Sequence, residues 1–153
     1  MQALELKVPP VAVVLVTAGL MWLVAWAAPA LGFGNPFRIP VAVSLVAAGA
    51  VTSALGVASF RRAGTTVNPL KPHTASSLVA AGIYRLTRNP MYLGFLVALV
   101  GWAVFLSSIP AFLLLPAFVL YMNRFQIEPE ERALAARFGE SFTNYESSVR
   151  RWL

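Results

Sequence analysis

Residues 10–31 have the sequence PVAVVLVTAGLMWLVAWAAPAL, and residues 39–60 have the sequence IPVAVSLVAAGAVTSALGVASF. Neither stretch contains a charged side chain, and each is long enough for a helix to cross a bilayer, which takes about 20 apolar residues. The GFGNP sequence between them, at 32–36, is rich in chain breakers. The two stretches therefore predict a transmembrane helical hairpin. The first stretch follows Lys7, so a secretory signal is an alternative interpretation, although the apolar run is longer than the usual signal core.

The composition of the chain also indicates a membrane protein. Hydrophobic residues make up 58% of its 153 residues and charged residues 12%, against about 25% charged in soluble domains. The mean hydropathy is +0.70, and a domain of this length cannot hide so much apolar surface in one soluble core. Membrane lipids are therefore the expected partners of that surface.

The charges of the chain exclude several classes of function. The chain has twelve Lys and Arg residues and six acidic residues, all glutamates, and this basic excess suits anionic lipid headgroups. The basic residues lie between and after the apolar segments rather than along one exposed face, so nucleic-acid binding is not indicated. Because the chain has no cysteine and a single histidine, we expect no disulfide, no thiolate catalysis and no metal site.

Two further apolar segments, residues 91–106 and 109–125, are shorter than the usual span. Basic residues precede the first and follow the apolar part of the second, which places both of these ends in the cytoplasm by the positive-inside rule. The sequence predicts an all-α, polytopic membrane protein that forms a single domain with about four spans and both termini inside. Two spans plus a buried hairpin is the alternative, and the oligomeric state stays open.

Polar segments flank this second hairpin. Residues 61–90 are predicted to form a cytoplasmic loop, in which a serine cap at Ser76 and the stop at Gly82 predict a short helix. Residues 128–153 are predicted to form two cytoplasmic amphipathic helices. The second of these has Phe142, Tyr145, Val149 and Trp152 at helical spacing and is expected to lie along the membrane surface. The side chains expected to act as anchors are Phe138, Phe142, Tyr145 and Trp152.

The side chains that could carry chemistry lie at the ends of the second hairpin. Without an aspartate, and with His73 as the sole histidine, a hydrolytic triad is not supported, and no Gly-rich phosphate loop follows a strand. A dense polar stretch instead enters the third apolar segment, and an acidic pair, Glu130 and Glu131, follows the fourth. An antiparallel hairpin would bring Arg88 and Tyr92 to this pair, which predicts a site of aromatic, guanidinium and carboxylate groups.

From Thr65 onward the chain resembles the isoprenylcysteine carboxyl methyltransferases and their phospholipid methyltransferase relatives. That family shows a Leu-Val pair, Gly-x-Tyr, Arg-His-Pro-x-Tyr-x-Gly, Glu-Glu-x-x-Leu, Phe-Gly and a tyrosine. The corresponding fragments here are Leu78-Val79, Gly82-Ile83-Tyr84, Arg88-Asn89-Pro90-Met91-Tyr92-Leu93-Gly94, Glu130-Glu131-Arg132-Ala133-Leu134, Phe138-Gly139 and Tyr145. Asn89 stands where the family has histidine, and Gln126, with Arg124 nearby, stands where the family has a substrate-contacting arginine.

The resemblance implies a methyltransferase that uses S-adenosylmethionine and acts on a lipophilic small-molecule or lipid acceptor, with its active site facing the cytoplasm. It implies catalytic roles for Arg88, Asn89 and Glu130, and substrate contacts for Arg124 and Gln126. The residues that it implies for cofactor binding are Leu78, Val79, Gly82, Tyr84, Arg88, Asn89, Pro90, Tyr92, Glu130 and Glu131.

Two other functions stay open at the level of sequence. One is a non-enzymatic membrane transporter or scaffold, in which Arg88 marks the cytoplasmic edge and the tyrosines form an interfacial belt. The four apolar segments, the last taken to Met122, contain no charged residue, which argues against ion or proton conduction. The other is an NADPH-dependent enzyme like the sterol reductases, whose C-terminal regions resemble this family, although the chain is short for that class.

Overall fold

The computed structural model describes residues 5–34, 36–65, 70 and 74–153, so the interpretation of His73 concerns a residue outside the described part. Within that part the chain is helical and forms no strands, which confirms the predicted all-α class. The helices are α1 (Pro10–Ala27), α2 (Arg38–Arg62), α3 (Pro90–Leu106), α4 (Ile109–Phe112), α5 (Leu114–Met122), α6 (Glu128–Phe138) and α7 (Glu140–Ser148).

Three helical runs are long and apolar enough to cross a membrane: Pro10–Ala27, Arg38–Arg62 and Ile109–Phe138. The apolar helix α3 is shorter, at 17 residues or about 25 Å. Large apolar side chains on these helices point outward, with Trp26 73% exposed and Leu120 68% exposed. An outward apolar surface of this kind needs lipid around it, so the chain is an integral membrane protein of about four spans.

Helices α2 and α3 approach each other at two glycines. A Cβ added to Gly94 would collide with the Ser53 hydroxyl and with the carbonyl oxygen of Gly49. Ser53 Oγ also donates a hydrogen bond to the Met91 carbonyl across the interface, at 3.1 Å. Small residues allow helix backbones to come this close in membranes, and the contact fixes where the N-terminal end of α3 lies.

The last helical run changes geometry twice for reasons visible in its sequence. Pro116 has no N–H to give to the carbonyl four residues earlier, and the run is interrupted at Leu113, between α4 and α5. A π turn, Asn123–Ile127, then joins α5 to α6. Pro129 likewise cannot donate to the Phe125 carbonyl, which instead accepts the N–H of Leu6 at 3.0 Å. The N-terminal segment is thereby held against the π turn.

The prediction of a short helix between Ser76 and Gly82 is wrong. Residues 76–81 are non-helical, and the first helical turn, a 3-10 turn over Gly82–Arg85, begins where the predicted helix was to stop. The serine side chains bind elsewhere, because Ser76 Oγ donates to the Gly64 carbonyl and Ser77 Oγ to the Ala63 carbonyl. These hydroxyls fasten the loop to the C-terminal end of α2 and do not cap a helix.

The second tail helix is shorter than predicted. It ends at Ser148, and Val149 is extended, so Val149 and Trp152 do not continue the helical face. The hydroxyls of Ser147 and Ser148 donate to carbonyls three residues earlier, a local bond that competes with helix propagation. The remaining residues, 149–153, run back across the start of α3.

Candidate functional site

A cavity of about 80 Å³ lies where α2 ends, α3 begins, and α6 and α7 cross in front of them. Its walls combine aromatic rings, aliphatic side chains and a small set of charged groups. The lining residues are Phe60, Ala75, Ser77, Leu78, Val79, Tyr84, Arg88, Asn89, Met91, Tyr92, Glu130, Glu131, Leu134, Phe142 and Tyr145. A concave apolar site with a few converging polar groups is the usual form of a small-molecule site.

Tyr84 enters the cavity from the 3-10 turn that follows the loop. Gly82 begins that turn with φ +64°, a left-handed conformation that glycine adopts without steric cost. The ring of Tyr84 meets Phe60 of α2 edge-on, with centroids 5.4 Å apart. Burial raises the pKa of the Tyr84 phenol well above its ordinary value, and nearby Tyr145 and Glu130 raise it further, so the phenol stays protonated.

Glu130, near the start of α6, faces Tyr92 of α3. The Tyr92 hydroxyl donates a hydrogen bond to Glu130 Oε1. The ion pairs formed by the described residues do not include Glu130. Its carboxyl group therefore meets phenols in the cavity without a basic side chain to balance it.

Arg88 lines the same cavity as Glu130, but its terminal nitrogens bind other groups. Its Nη2 donates to Glu131 at 2.7 Å and to Glu146 at 3.1 Å, while Nη1 donates to the carbonyls of Glu146 and Val149. Arg151 donates twice to Glu131, at 3.1 and 2.6 Å. Two arginines thus offset two glutamates, and neither of these arginines forms an ion pair with Glu130.

One nitrogen of Arg88, Nε, takes no part in these hydrogen bonds. Among the described residues, Arg88 Nε is buried and has no hydrogen-bond partner. Leaving a buried N–H unsatisfied costs about 1–3 kcal/mol, and a bound acceptor in the cavity that Arg88 lines would remove that cost. Within the described part of the chain, the cavity lining thus includes an arginine with one unsatisfied N–H and a carboxyl group that is in no ion pair.

The phospholipid methyltransferase family matches this chain over residues 37–141. The matched region holds α2, α3, the π turn and α6, the elements on which Tyr84, Arg88, Tyr92 and Glu130 depend. The chain belongs to the phospholipid methyltransferase family. Members of this family are methyltransferases, so the resemblance noted from the sequence is confirmed.

Individual relatives agree with this family assignment. An uncharacterized protein of Haemophilus influenzae is 41% identical over 63 residues, which are 41% of this chain and all of that protein. A probable protein-S-isoprenylcysteine O-methyltransferase of Oryza sativa, in both subspecies indica and japonica, is 35% identical over 112 residues, or 71% of this chain. That match spans 57% of the rice protein's length. No solved structure matches the chain.

The structure brings most of the predicted family site residues together. Eight of them line the cavity: Leu78, Val79, Tyr84, Arg88, Asn89, Tyr92, Glu130 and Glu131. Gly82 and Pro90 are not among the lining residues; Gly82 shapes the 3-10 turn and Pro90 occupies the first turn of α3. Their roles toward a ligand stay predictions.

The two predicted substrate residues lie apart from the cavity lining. Arg124 pairs with Glu5 at 3.1 Å and with Glu128 at 3.4 Å. Gln126 is fully buried, and its Nε2 donates to the Val8 carbonyl. Both residues contact the N-terminal segment of the chain, on the π turn.

The sequence predicts membrane anchors at Phe142 and Tyr145, but both residues line the cavity. Phe142 is buried, 2% exposed, and Tyr145 donates its hydroxyl proton to the Tyr84 carbonyl at 2.7 Å. Burial raises the pKa of the Tyr145 phenol, with Arg88 opposing the rise. Trp152, another residue that the sequence predicts to be an anchor, donates to Asn123 Oδ1 at 2.9 Å. The spacing of Phe142 and Tyr145 on one helical face is equally consistent with packing inward, and the sequence alone could not separate the two.

Proposed function

We propose that this protein is an S-adenosylmethionine-dependent methyltransferase that methylates a lipophilic or membrane-embedded acceptor at the cytoplasmic surface of the membrane. The observation that carries the proposal is the unpaired Glu130 carboxyl group among the phenols of Tyr84, Tyr92 and Tyr145. Aromatic faces attract cations through their quadrupoles, and a cation bound beside Glu130 would favour the ionised form of its carboxyl group. Such a site suits a sulfonium ion better than it suits an anionic or neutral cofactor.

The donor set fits the rest of the cofactor as well. Arg88 lines the cavity and has one N–H, at Nε, without a hydrogen-bond partner in the described structure, which is proposed to bind the cofactor carboxylate once the site opens, while Glu130 provides the acceptor for an ammonium or sulfonium group. Apolar walls from Leu78, Val79 and Leu134 suit the flat face of an adenine ring. When bound, S-adenosylmethionine supplies the electrophilic methyl group on its sulfonium.

The residues of the chain contribute positioning and exclusion of water. Alignment of two reactants within a site contributes several of the roughly 7–11 kcal/mol available from proximity. The phenols of Tyr84 and Tyr145 stay protonated, because burial raises the pKa of both, so they donate hydrogen bonds and do not act as bases. Asn89, which has no titrating group, orients its neighbours where the family has an imidazole.

The acceptor is proposed to enter from the bilayer, since the spans are covered by lipid. Gln126 stays a candidate for acceptor contact, because its Oε1 is buried and without a hydrogen-bond partner among the described residues. The guanidinium of Arg124, held by two glutamates, is proposed to contribute at the headgroup level. The basic residues around the loop, Arg61, Arg62 and Arg85, support a cytoplasmic orientation.

The size of the cavity requires that the site opens before a ligand enters. An apolar cavity of about 150 Å³ takes a benzene molecule, and the cavity here is about 80 Å³. A nucleoside therefore enters only when the elements that line the cavity separate. We expect α7, which contributes Phe142 and Tyr145 and is joined to the loop at Tyr84, to be one of the moving elements.

A transfer assay tests the proposed activity. Purified protein in lipid nanodiscs is incubated with methyl-labelled S-adenosylmethionine and a total lipid extract, and label is counted in the organic phase. The proposal expects label above that of a Glu130→Gln variant of equal folding. No transfer together with binding of NADPH would instead support the reductase alternative.

Cysteine labelling tests the orientation independently. The chain has no native cysteine, so a single Ser141→Cys change on the exposed side of α7 gives an unambiguous signal. In intact spheroplasts, a membrane-impermeant maleimide should fail to label this variant until the membrane is opened. Labelling in intact spheroplasts would contradict the proposed cytoplasmic orientation and place α7 on the outer side of the membrane.

A further inference from the structure

We infer that residues 149–153 form a strap that holds the site closed and in register, and that Asn89 is a positioning residue whose function is to bind this strap. The strap lies outside the region matched by the phospholipid methyltransferase family, which ends at residue 141. The inference rests on the proposed function only where it concerns cofactor affinity, because docking of the strap can be measured without any ligand.

Three consecutive residues at the start of α3 bind three consecutive carbonyls of the strap. The Arg88 N–H donates to the Arg150 carbonyl at 3.0 Å, and Arg88 Nη1 donates to the Val149 carbonyl at 3.0 Å. The Arg151 carbonyl accepts from Thr87 Oγ1 at 3.2 Å and from Asn89 Nδ2 at 3.0 Å. Most of the strap is thus recognised through its main chain.

Two side chains anchor the strap at its far end. Arg151 binds both oxygens of Glu131 on α6, and the Trp152 indole donates to Asn123 Oδ1 in the π turn at 2.9 Å. The strap therefore connects the start of α3 with the π turn and α6. It reinforces the direct contacts between these two walls of the cavity, Arg88 with Glu131 and Tyr92 with Glu130.

Asn89 is suited to this role by its chemistry. It occupies the N-cap position of α3 but makes no capping bond with its side chain. The amide instead points its N–H at the Arg151 carbonyl, which fixes the amide orientation because two carbonyl oxygens would repel. A neutral donor is required at this position, whereas a proton-transfer group is not.

Docking of the strap determines where the charged groups of the cavity lie. With the strap in place, Arg88 reaches Glu131 and Glu146, and Arg151 holds Glu131 from the opposite side. When the strap leaves, Arg88 loses two of its carbonyl partners, and Glu131 loses Arg151. Arg88 and Glu131 line the cavity, so strap release both opens and reshapes the site.

Hydrogen exchange tests the docking directly. In the unliganded protein we expect the Arg88 amide to be protected, and an Asn89→Leu change, which keeps the shape and removes the donor, to increase its exchange rate about tenfold, the effect of one lost hydrogen bond of about 1.4 kcal/mol. Asn89→His, whose neutral imidazole keeps an N–H, should restore much of the protection. The matched control, Asn144→Leu on the exposed side of α7, should leave exchange at Arg88 unchanged.

A second background distinguishes the strap from a general structural effect. In a chain that ends at Ser148, Arg88 should exchange rapidly, and Asn89→Leu should add nothing further. If that chain does not fold, Trp152→Phe in the full chain, which removes only the indole N–H, should raise exchange at Arg88 in part. An equal effect of Asn89→Leu with and without the strap, or no effect in the full chain, would overturn the inference.

Cofactor binding is measured on the same variants as the last step. We expect Asn89→Leu to weaken S-adenosylmethionine binding about tenfold, and Asn89→His to recover it. If no variant binds the cofactor, the proposed function fails, and the exchange rates still decide whether the strap exists. Normal affinity in Asn89→Leu with rapid exchange at Arg88 would refute the positioning role.

Discussion

Replacing Arg88 with methionine tests the ion cluster on which the site geometry depends. Methionine keeps most of the apolar stem and removes the guanidinium. The side chains of Arg88 and Glu131 are 10% and 14% exposed, and breaking a buried pair by removing one partner costs about 3–5 kcal/mol. Glu131 retains Arg151, which places the expected loss at the lower end, at about 3 kcal/mol. The pair with Glu146, 43% exposed on the acidic side, adds less than about 1 kcal/mol.

Arg124→Met is the matched control for this change. Arg124 is 43% exposed and pairs with Glu128, 40% exposed, and with Glu5, which is 14% exposed but keeps Arg132 as a partner, so the same substitution should cost no more than about 1 kcal/mol. Thermal unfolding in detergent, followed by tryptophan fluorescence, compares the two. At about 2–4 °C per kcal/mol, Arg88→Met should lower Tm by about 6–12 °C and Arg124→Met by less than about 4 °C. Equal shifts would refute the claim that burial makes the Arg88 cluster strong.

Further changes test other parts of the structure. Gly94→Ala should lower stability by about 1–3 kcal/mol, because the new methyl meets backbone that cannot move aside; Gly19→Ala, with nothing within 4 Å of the added carbon, should not, and equal Tm values would contradict the close packing. Tyr145→Phe should cost about 1 kcal/mol in the same melts through the lost bond to Tyr84, and an unchanged Tm would count against that bond. Glu130→Gln should weaken cofactor binding at least tenfold with little change in Tm, and a large fall in Tm would show instead that Glu130 is a structural residue.

Much of the fold followed from the sequence because lipid imposes strict conditions. Uncharged stretches of about 20 residues have few alternatives to a membrane helix, and the family fragments in the sequence contain eight of the residues that line the cavity. Tyr92 and Glu130 are 38 positions apart, and an antiparallel hairpin was sufficient to bring them together.

The local structures that the sequence could not predict depend on hydrogen bonds to distant residues. Ser76 has the residue type of a helix cap, but its hydroxyl binds the end of α2 instead. Val149 and Trp152 continue a helical spacing, yet their segment forms a strap. The carbonyls of Val149 and Arg151 accept hydrogen bonds from Arg88 and Asn89 and so are not bonded within a helix. No local pattern encodes such long-range bonds.

Titration calorimetry with S-adenosylmethionine in detergent or nanodiscs tests the central claim most directly, with wild-type protein and Glu130→Gln measured side by side. A site that places an uncompensated carboxyl group among tyrosines should give saturable binding at micromolar affinity and a loss of at least tenfold in the variant. Folded wild-type protein that gives no heat and no thermal protection at millimolar cofactor, or a variant that binds equally well, would contradict it.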